Sequence, residues 1–378
     1  MGLHAVPKFL REKHGHLLQK EHISLFAYQR VFMDIASWIY KSVCINGTDN
    51  NRWINSLLRL IYMFRLNKVN IVPVFDGKAP AEKLAEQQAR RETRAKTKDR
   101  LKGIRDAIDA YNHGERSEET LAILTSEISG LEKKGLATKS ILKALKIAQS
   151  EEAEEKQEIS ITPAKIAQLE QLCLQLQRQT TFIGEDDNKF MRDIFESCGI
   201  SWIQAPEEAE AYCCWLVRNG FGNAVISCDT DCIAHRADIF IFDLETKTGD
   251  ITFVNLEDLL VEWKLTEEQI VDFATLVGCD YNPGSRKNKI GPVKAISLLQ
   301  KYGKIENIPD LIDIECLHVE KCRRLFNPEY PLEVVIKAGY TDVEKMYAVA
   351  KTRPDVDREL CMKMIEVNNK KAKIVIKK

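Results

Sequence analysis

Long apolar runs and paired cysteines are both missing from this 378-residue sequence. No stretch approaches the roughly 18 consecutive apolar residues of a membrane span, and residues 1–8 lack the apolar centre of a signal peptide. The 11 cysteines are odd in number and include no Cys-x-x-Cys pair, so we expect neither a disulfide framework nor a cysteine-bound zinc ion. These absences predict a soluble, intracellular protein without a membrane partner.

An excess of positive charge is missing as well, because the net charge is −1. A surface for nucleic acid must then come from local segregation of charge. Residues 87–105 show such segregation, with eight basic residues against Glu92 and Asp99. A one-sided basic helix predicts a guide for a single strand, although many such helices are only solvated. The eight are Arg90, Arg91, Arg94, Lys96, Lys98, Arg100, Lys102 and Arg105.

Apolar runs typical of buried strands alternate with helical patterns in two parts of the chain. Runs that are apolar on both faces favour a mostly parallel sheet covered by helices, so the predicted fold class is α/β. The intervening residues 79–182 have helical spacing and predict about four inserted helices. The predicted strands are residues 30–34, 69–76, 200–204, 223–229 and 239–243, and the flanking helices are residues 53–66 and 207–217.

Acidic residues follow several of these strands. Asp34, Asp76 and Asp229 stand at strand ends, and the carboxyl ends of parallel strands open onto one crevice. Glu208 and Glu210 follow another strand, at the start of a helix. Each aspartate alone could be a helix cap, but seven such carboxylates together disfavour that interpretation. The set is Asp34, Asp76, Glu208, Glu210, Asp229, Asp231 and Asp280.

Oxygen ligands without histidine or thiolate favour Mg²⁺ or Mn²⁺ over zinc. So many like charges in one crevice could not all stay ionised without cations between them. Two ions about 4 Å apart are the arrangement that acts on a phosphodiester bond. The constellation therefore predicts a two-metal phosphodiesterase.

These motifs, and their order, resemble the flap endonuclease and XPG-type structure-specific 5′ nucleases. The resemblance covers residues 1–112 and 186–370 and includes Met1-Gly2-Leu3, Asp34 with Ser37 and Tyr40, and Phe75-Asp76-Gly77-Lys78. It continues through residues 205–211, 228–232 and 278–281. It implies a PIN-like 5′ nuclease core with an inserted helical arch and a helix-two-turn-helix.

The resemblance also implies two Mg²⁺ ions, with Mn²⁺ as a substitute, and K⁺ at the helix-two-turn-helix. It assigns Lys83 and Arg90 to the scissile phosphate, and spacings of seven and fourteen residues after Asp76 put both cations on one helix face. Tyr40 would stack on a base, the alternative being an aromatic side chain facing the core. Gly2 would become the N-terminus beside the metals. One ion would be held by Asp34, Asp76, Glu208 and Glu210, and the other by Asp229, Asp231 and Asp280 with help from Glu210.

The helix-two-turn-helix is expected near residues 282–303. A loop that leads into a helix N-terminus presents backbone N–H groups to a phosphate, and nearby lysines add counterion release. Lys289 stands where the family usually has glycine, and the loop is longer than usual. A charged surface turn is the alternative interpretation. The residues expected to contact DNA here are Lys287, Lys289, Gly291 and Lys294.

Four regions follow from this interpretation. Residues 1–112 contain the N-terminal nuclease region and the start of the basic arch, and residues 113–185 form an extended helical arch or cap. Residues 186–370 form the internal nuclease region, and residues 371–378 a basic tail. The tail has no aromatic residue of a clamp-binding peptide, so we do not expect recruitment by a sliding clamp. These features fit a member from a large DNA virus.

The predicted function is cleavage of DNA with a 5′ flap, fork, nick or end, with 5′→3′ exonuclease activity, in replication, repair or recombination. The nucleus or a cytoplasmic replication site is the expected location. A 5′→3′ exoribonuclease is one alternative. A catalytically idle DNA-binding scaffold on the nuclease fold is another, but it would be expected to have lost carboxylates, and all seven are present.

Overall fold

The computed structural model describes residues 3, 5–46, 52–133, 161–180, 183–282, 290–309, 315–336, 341–353, 357, 359–361 and 363. Two compact units are present. The sheet unit contains residues 1–87 and 183–378, and the helical unit contains residues 88–182. None of the helices in these described ranges has the length and apolar character needed to cross a lipid bilayer.

The sheet unit contains a seven-stranded sheet with the order β1-β7-β6-β5-β2-β3-β4. Five neighbouring strands, from β6 to β4, are parallel, whereas β7 is antiparallel to both β6 and β1. The expected mostly parallel α/β sheet is therefore confirmed. The strands are β1 (Gln19–His22), β2 (Arg30–Asp34), β3 (Asn70–Phe75), β4 (Ile203–Gln204), β5 (Ala224–Ile226), β6 (Ile239–Leu244) and β7 (Asp250–Asn255).

Successive side chains of a strand point to opposite faces, which places a separate apolar layer on each side of the sheet. In β2, Val31 and Met33 join one buried cluster, while Phe32 joins the other. Helices cover both layers, so the central strands can be apolar on both faces. The helices before residue 200 are α1 (Val6–Lys13), α2 (Ile35–Asn46), α3 (Arg52–Leu66), α4 (Leu84–Asn112), α5 (Glu118–Lys133), α6 (Pro163–Thr180) and α7 (Glu185–Ser197).

The described part of the sheet unit that follows β7 is mainly helical. Strands β1 and β7 were not among the predicted strands, and β1 carries only polar residues and so shows no apolar alternation. The later helices are α8 (Ala209–Arg218), α9 (Asp231–Ala234), α10 (Leu256–Trp263), α11 (Glu267–Val277), α12 (Pro292–Tyr302), α13 (Val319–Phe326) and α14 (Val343–Lys351).

The helical unit has its own small core. Apolar residues spaced three or four apart on α4, such as Leu101, Ile104 and Ile108, pack with Leu124 of α5 and Leu169 of α6. A turn at residues 113–114 ends α4, and glycine at position 114 suits its backbone φ of +90°. Within residues 79–182 three helices are described, and residues 134–160 lie outside the described part of the chain.

Candidate active site

Four strand ends bring acidic residues to one edge of the sheet. Asp34 is the last residue of β2, and Asp76 directly follows β3. Asp229 lies three residues beyond the end of β5, and Glu208 stands at the N-cap of α8, shortly after β4. Because these strands are parallel neighbours, their carboxyl ends open on the same side.

Six of the seven carboxylates are buried, and Asp231 has no exposed surface at all. Asp76 is the exception and keeps an exposed edge. Several buried carboxylates in one place are rare in folded proteins unless another group compensates their negative charge. The buried members are Asp34, Glu208, Glu210, Asp229, Asp231 and Asp280.

The carboxylates lie close enough to repel one another. Burial and the charge of Glu210 raise the pKa of Glu208 to about 7 and that of Asp229 to about 6. Burial, followed by repulsion from Asp76 and Glu210, raises the pKa of Asp34 well above its usual range. Glu210 thus acts on carboxylates from both expected ligand sets, which agrees with its place between them.

The ammonium of Lys83 lies inside the cluster. Its Nζ is 2.5 Å from Glu208 Oε1, 3.4 Å from Glu210 Oε1 and 3.8 Å from Asp280 Oδ2. Burial alone would lower the pKa of Lys83, but Glu210, Glu208 and Asp231 outweigh burial and raise it. Lys83 is therefore charged at neutral pH and compensates part of the negative charge.

The expected helix carrying both Lys83 and Arg90 begins later than the spacing suggested. Lys83 ends a short 3-10 turn, Ala81–Lys83, whose last N–H bonds the Pro80 carbonyl at 3.0 Å. Helix α4 begins at the next residue, and Arg90 is exposed within it. Lys83 therefore lies outside the helix that carries Arg90, and the expectation that both cations share one helix face is wrong.

Both carboxylate oxygens of Asp231 are buried, and neither has a hydrogen-bond partner among the described residues. A buried charge without a partner is strongly unfavourable, so this position calls for a cation. Asp229 and Asp280 repel Asp231 and, after burial, are the largest causes of its raised pKa. The donor set is oxygen only, which suits a hard divalent ion such as Mg²⁺.

A second ring of polar groups holds the carboxylates in place. Ser227 Oγ donates to Asp34 Oδ2 at 2.8 Å, and Ser37 N donates to Asp34 Oδ1 at 3.1 Å. The Tyr281 hydroxyl donates to Glu208 Oε2 at 2.7 Å. Our sequence reasoning assigned no site role to Ser227 or Tyr281, although each lies within two residues of a cluster aspartate.

Gly77 allows two distant segments to meet beside the cluster. A side-chain carbon at this position would stand 2.1 Å from the Ala205 carbonyl oxygen, so only glycine fits. Its N–H bonds the Glu207 carbonyl at 2.6 Å, and Ala209 N donates to Asp76 Oδ1 at 3.0 Å. These contacts join the end of β3 to the start of α8.

The residues expected to bind DNA lie largely at the surface. Tyr40 on α2 is 42% exposed, so it is not a core aromatic. Lys294 on α12 and Gly291 at its N-cap are exposed. On α4, Arg91 and Lys98 are exposed and Arg94 is half-buried. Gly2, Lys287 and Lys289 lie outside the described residues.

Comparison with known proteins agrees with this geometry. Residues 1–97 match the XPG N-terminal domain, and residues 199–280 match the XPG I-region. The chain therefore carries both XPG regions and is similar to RAD2-like endonucleases and flap endonucleases. All seven carboxylates of this nuclease lie within the two matched segments, as does Lys83.

Relatives and solved structures extend the likeness along the chain. A probable RAD2-like endonuclease, 369L, of Invertebrate iridescent virus 6 is 24% identical over 353 residues, covering 86% of this nuclease and 79% of the viral protein. A solved catalytic core of Rad2 in complex with DNA substrate has a TM-score of 0.62 at 16% identity, covering 97% and 100% of the two chains. Flap endonuclease-1 from Methanococcus jannaschii has a TM-score of 0.59 at 16% identity, covering 94% and 98%.

These likenesses confirm two expectations about the chain. The solved structures share its fold, which is that of a flap endonuclease and Rad2 nuclease core. The viral relative agrees with the expected resemblance to proteins of large DNA viruses. The two matched XPG regions and the named relatives identify the chain as a nuclease similar to the structure-specific type.

Proposed function

We propose that this nuclease hydrolyses DNA phosphodiesters at junctions between single-stranded and duplex DNA, using two Mg²⁺ ions. The observation that carries the proposal is the buried carboxylate cluster around Asp231, whose two oxygens have no hydrogen-bond partner among the described residues. A fold does not need such a cluster for stability, because like charges in a buried place oppose folding. Such a cluster is typical of an active site that binds cations for catalysis.

The proposal divides the carboxylates into two overlapping ligand sets. Asp34, Asp76 and Glu208 come from β2, β3 and the N-cap of α8, and they share Glu210 with the set formed by Asp229, Asp231 and Asp280. When bound, Mg²⁺ ions would polarise the phosphodiester and make water a stronger nucleophile. The chain itself supplies rigid orientation, since Ser37, Ser227 and Tyr281 fix the first set through hydrogen bonds. Mn²⁺, with the same preference for oxygen, would serve as a substitute.

Lys83 has two tasks in this proposal. Its ammonium compensates Glu208 and Glu210 in the structure, at 2.5 and 3.4 Å. Cations bound by the same carboxylates would compete with it for those oxygens, because like charges repel. Lys83 would then turn toward the phosphate and stabilise the negative charge that grows during cleavage. Arg90, exposed on α4, is proposed to act on the same phosphate.

The proposed contacts with DNA use surface groups. Tyr40 lies on α2, six residues after Asp34, and presents an exposed ring on which a base could stack. Helix α12 begins with Gly291 and Pro292, and its first N–H groups together with Lys294 form a site for a backbone phosphate. Arg91, Arg94 and Lys98 add positive charge along α4 for a single strand. A solved Rad2 catalytic core binds a DNA substrate, and a similar substrate is proposed here.

The test is cleavage of labelled substrates in Mg²⁺: 5′-flap, fork, bubble and nicked DNA, and RNA with a 5′-phosphate. We expect cutting of the DNA junctions by the wild type and almost none by Asp229→Asn. The matched control is Asp250→Asn, an exposed aspartate on β7, which should cut normally. Equal cutting by wild type and Asp229→Asn would refute the metal assignment.

Further arms of the same assay separate the finer claims. A preference for RNA over every DNA junction would identify an exoribonuclease instead. Product lengths distinguish endonucleolytic from 5′→3′ exonucleolytic cutting. Replacing Mg²⁺ with Mn²⁺ should preserve activity. Exchanging Na⁺ for K⁺ at constant ionic strength tests the proposed K⁺ ion near residues 282–303, and we expect tighter duplex binding in K⁺.

A further inference from the structure

Two histidines and a glutamate of the sheet unit lie close together in space. The proposed nuclease mechanism uses none of them. His14 follows α1, His16 lies in the short turn Gly15–Leu17, and Glu262 is in the last turn of α10. His14 Nδ1 is 3.2 Å from Glu262 Oε1, and His16 Nε2 is 3.5 Å from the same oxygen. All three ligand atoms lie within 4.8 Å of one another.

These separations match the edges of a metal coordination polyhedron. With bonds near 2.1 Å, two ligands of a tetrahedral zinc ion stand about 3.4 Å apart. The two nitrogen-to-oxygen distances, 3.2 and 3.5 Å, fall on either side of that value. One ion could therefore bind all three atoms with small side-chain adjustments.

The donor chemistry differs from that of the carboxylate cluster. Imidazole nitrogens favour borderline ions such as Zn²⁺, whereas a cluster of carboxylates alone favours Mg²⁺. The site is also partly organised in advance. The His14 ring packs edge-on against Phe9, with ring centroids 4.7 Å apart, and its side chain is 17% exposed. The Trp263 ring packs against the His14 ring as well, with ring centroids 6.0 Å apart.

We propose that His14, His16 and Glu262 bind one Zn²⁺ ion, with solvent at the remaining position. The ion would join α1 to α10 across residues that are 248 apart in sequence. Shortly before α1, the Leu3 carbonyl accepts a hydrogen bond at 3.5 Å from the hydroxyl of Thr230, which lies between Asp229 and Asp231 in the sequence. Zinc would thus anchor the N-terminal helix whose leading segment contacts the active site. This role is independent of the proposed nuclease chemistry.

The competing explanation is an ordinary ion pair between protonated histidines and Glu262. The test uses the full chain in saturating Mg²⁺, which occupies the carboxylate cluster. Zinc sulfate is titrated against a chromophoric chelator, and Co²⁺ is added separately, because tetrahedral Co²⁺ absorbs visible light more strongly than octahedral Co²⁺. Variants are His16→Ala and Glu262→Gln, with His113→Ala, an exposed histidine of the helical unit, as control.

Wild type and His113→Ala should bind one more equivalent of Zn²⁺ than either site variant, and affinity at this site should fall by at least about 100-fold in the variants. The strong Co²⁺ absorption should be absent in both site variants. Zinc should raise the melting temperature of wild type and His113→Ala but not that of the site variants. Equal zinc stoichiometry in wild type and both site variants would overturn the proposal, as would an equal loss in His113→Ala. Glutamine is nearly isosteric with glutamate. If His16→Ala folds poorly, the zinc stoichiometry of Glu262→Gln therefore tests the proposal.

Discussion

The carboxylate cluster and the helical unit differ in where their charged side chains lie: those of the cluster are buried, and most of those on α4 are exposed. The cluster buries six carboxylates, with Lys83 held among Glu208, Glu210 and Asp280. In the helical unit, basic side chains such as Arg91 and Lys98 are exposed, while the apolar residues of α4, α5 and α6 form the core. The cluster groups negative charge and buries it, whereas the first half of α4 groups positive charge mostly at the surface.

The difference separates two uses of charge. Buried charges interact strongly with whatever enters the site, and they oppose folding until they are compensated. Exposed charges are screened by salt, contribute little to stability and act by attracting a polyanion. Substitutions in the cluster should therefore change turnover greatly and stability in either direction. Substitutions on α4 should change affinity and salt dependence and leave the fold intact.

The largest effect is expected from Asp231→Asn. Removing this ligand should lower kcat on the order of 10³-fold, as the loss of preorganised electrostatic groups does. Without metal at pH 8, the melting temperature should rise, because the repulsion by Asp229 and Asp280 is relieved. Single-turnover cleavage and thermal unfolding measure the two effects, with Asp250→Asn as control. Activity within tenfold of wild type would remove Asp231 from the ligand set.

Lys83→Ala comes next. We expect kcat to fall on the order of 10²-fold with little change in KM, because the ammonium is proposed to act on the transition state. Without metal, the variant should also lose about 3 kcal/mol of unfolding free energy, since Glu208 and Glu210 are left as uncompensated buried charges. Steady-state kinetics and urea unfolding provide the readings. A defect confined to KM would contradict the proposed role.

A smaller effect is expected on the exposed helix. The double variant Arg91→Ala with Lys98→Ala should weaken binding to 5′-flap DNA. The slope of log affinity against log salt should fall by about 1 for each DNA phosphate that the variant no longer neutralises. Its kcat and melting temperature should stay at wild-type values. The control double variant, Lys165→Ala with Arg178→Ala, removes two cations of α6. An equal loss of affinity in the control would show that only net charge matters.

The smallest effect is a pH dependence of stability without metal. The pKa of Glu208 is raised to about 7 in the folded chain, above an unfolded value of about 4.3. Its protonation therefore favours the folded state at low pH, and this contribution is lost as the pH rises through 7. The melting temperature of Glu208→Gln, relative to wild type, should increase between pH 5 and pH 7.5 and then level off. A difference that does not vary with pH would show that Glu208 has an ordinary pKa.

The fold and the site differ in how far the sequence predicts them. Apolar runs ending in Asp34 and Asp229 are local signals, and the rule for parallel strands converts them into a shared edge. The polar strand β1 has no such signal, because its partner β7 lies more than 200 residues away. The place of Lys83 inside the cluster depends on contacts with Glu208 and Asp280, which only the folded chain brings near. His14 and Glu262 are likewise distant in sequence, 248 residues apart.

The buried carboxylates are proposed to form a site for divalent cations. The direct measurement is the change in melting temperature on adding Mg²⁺ to the metal-free protein, compared between wild type and Asp231→Asn without DNA. A ligand that binds only the folded state raises the unfolding free energy by RT ln(1 + [L]/Kd), so the increase grows with Mg²⁺ concentration. We predict a clear increase for wild type at pH 8 and a much smaller one for Asp231→Asn. An equal increase in both proteins, or none in wild type, would contradict the account.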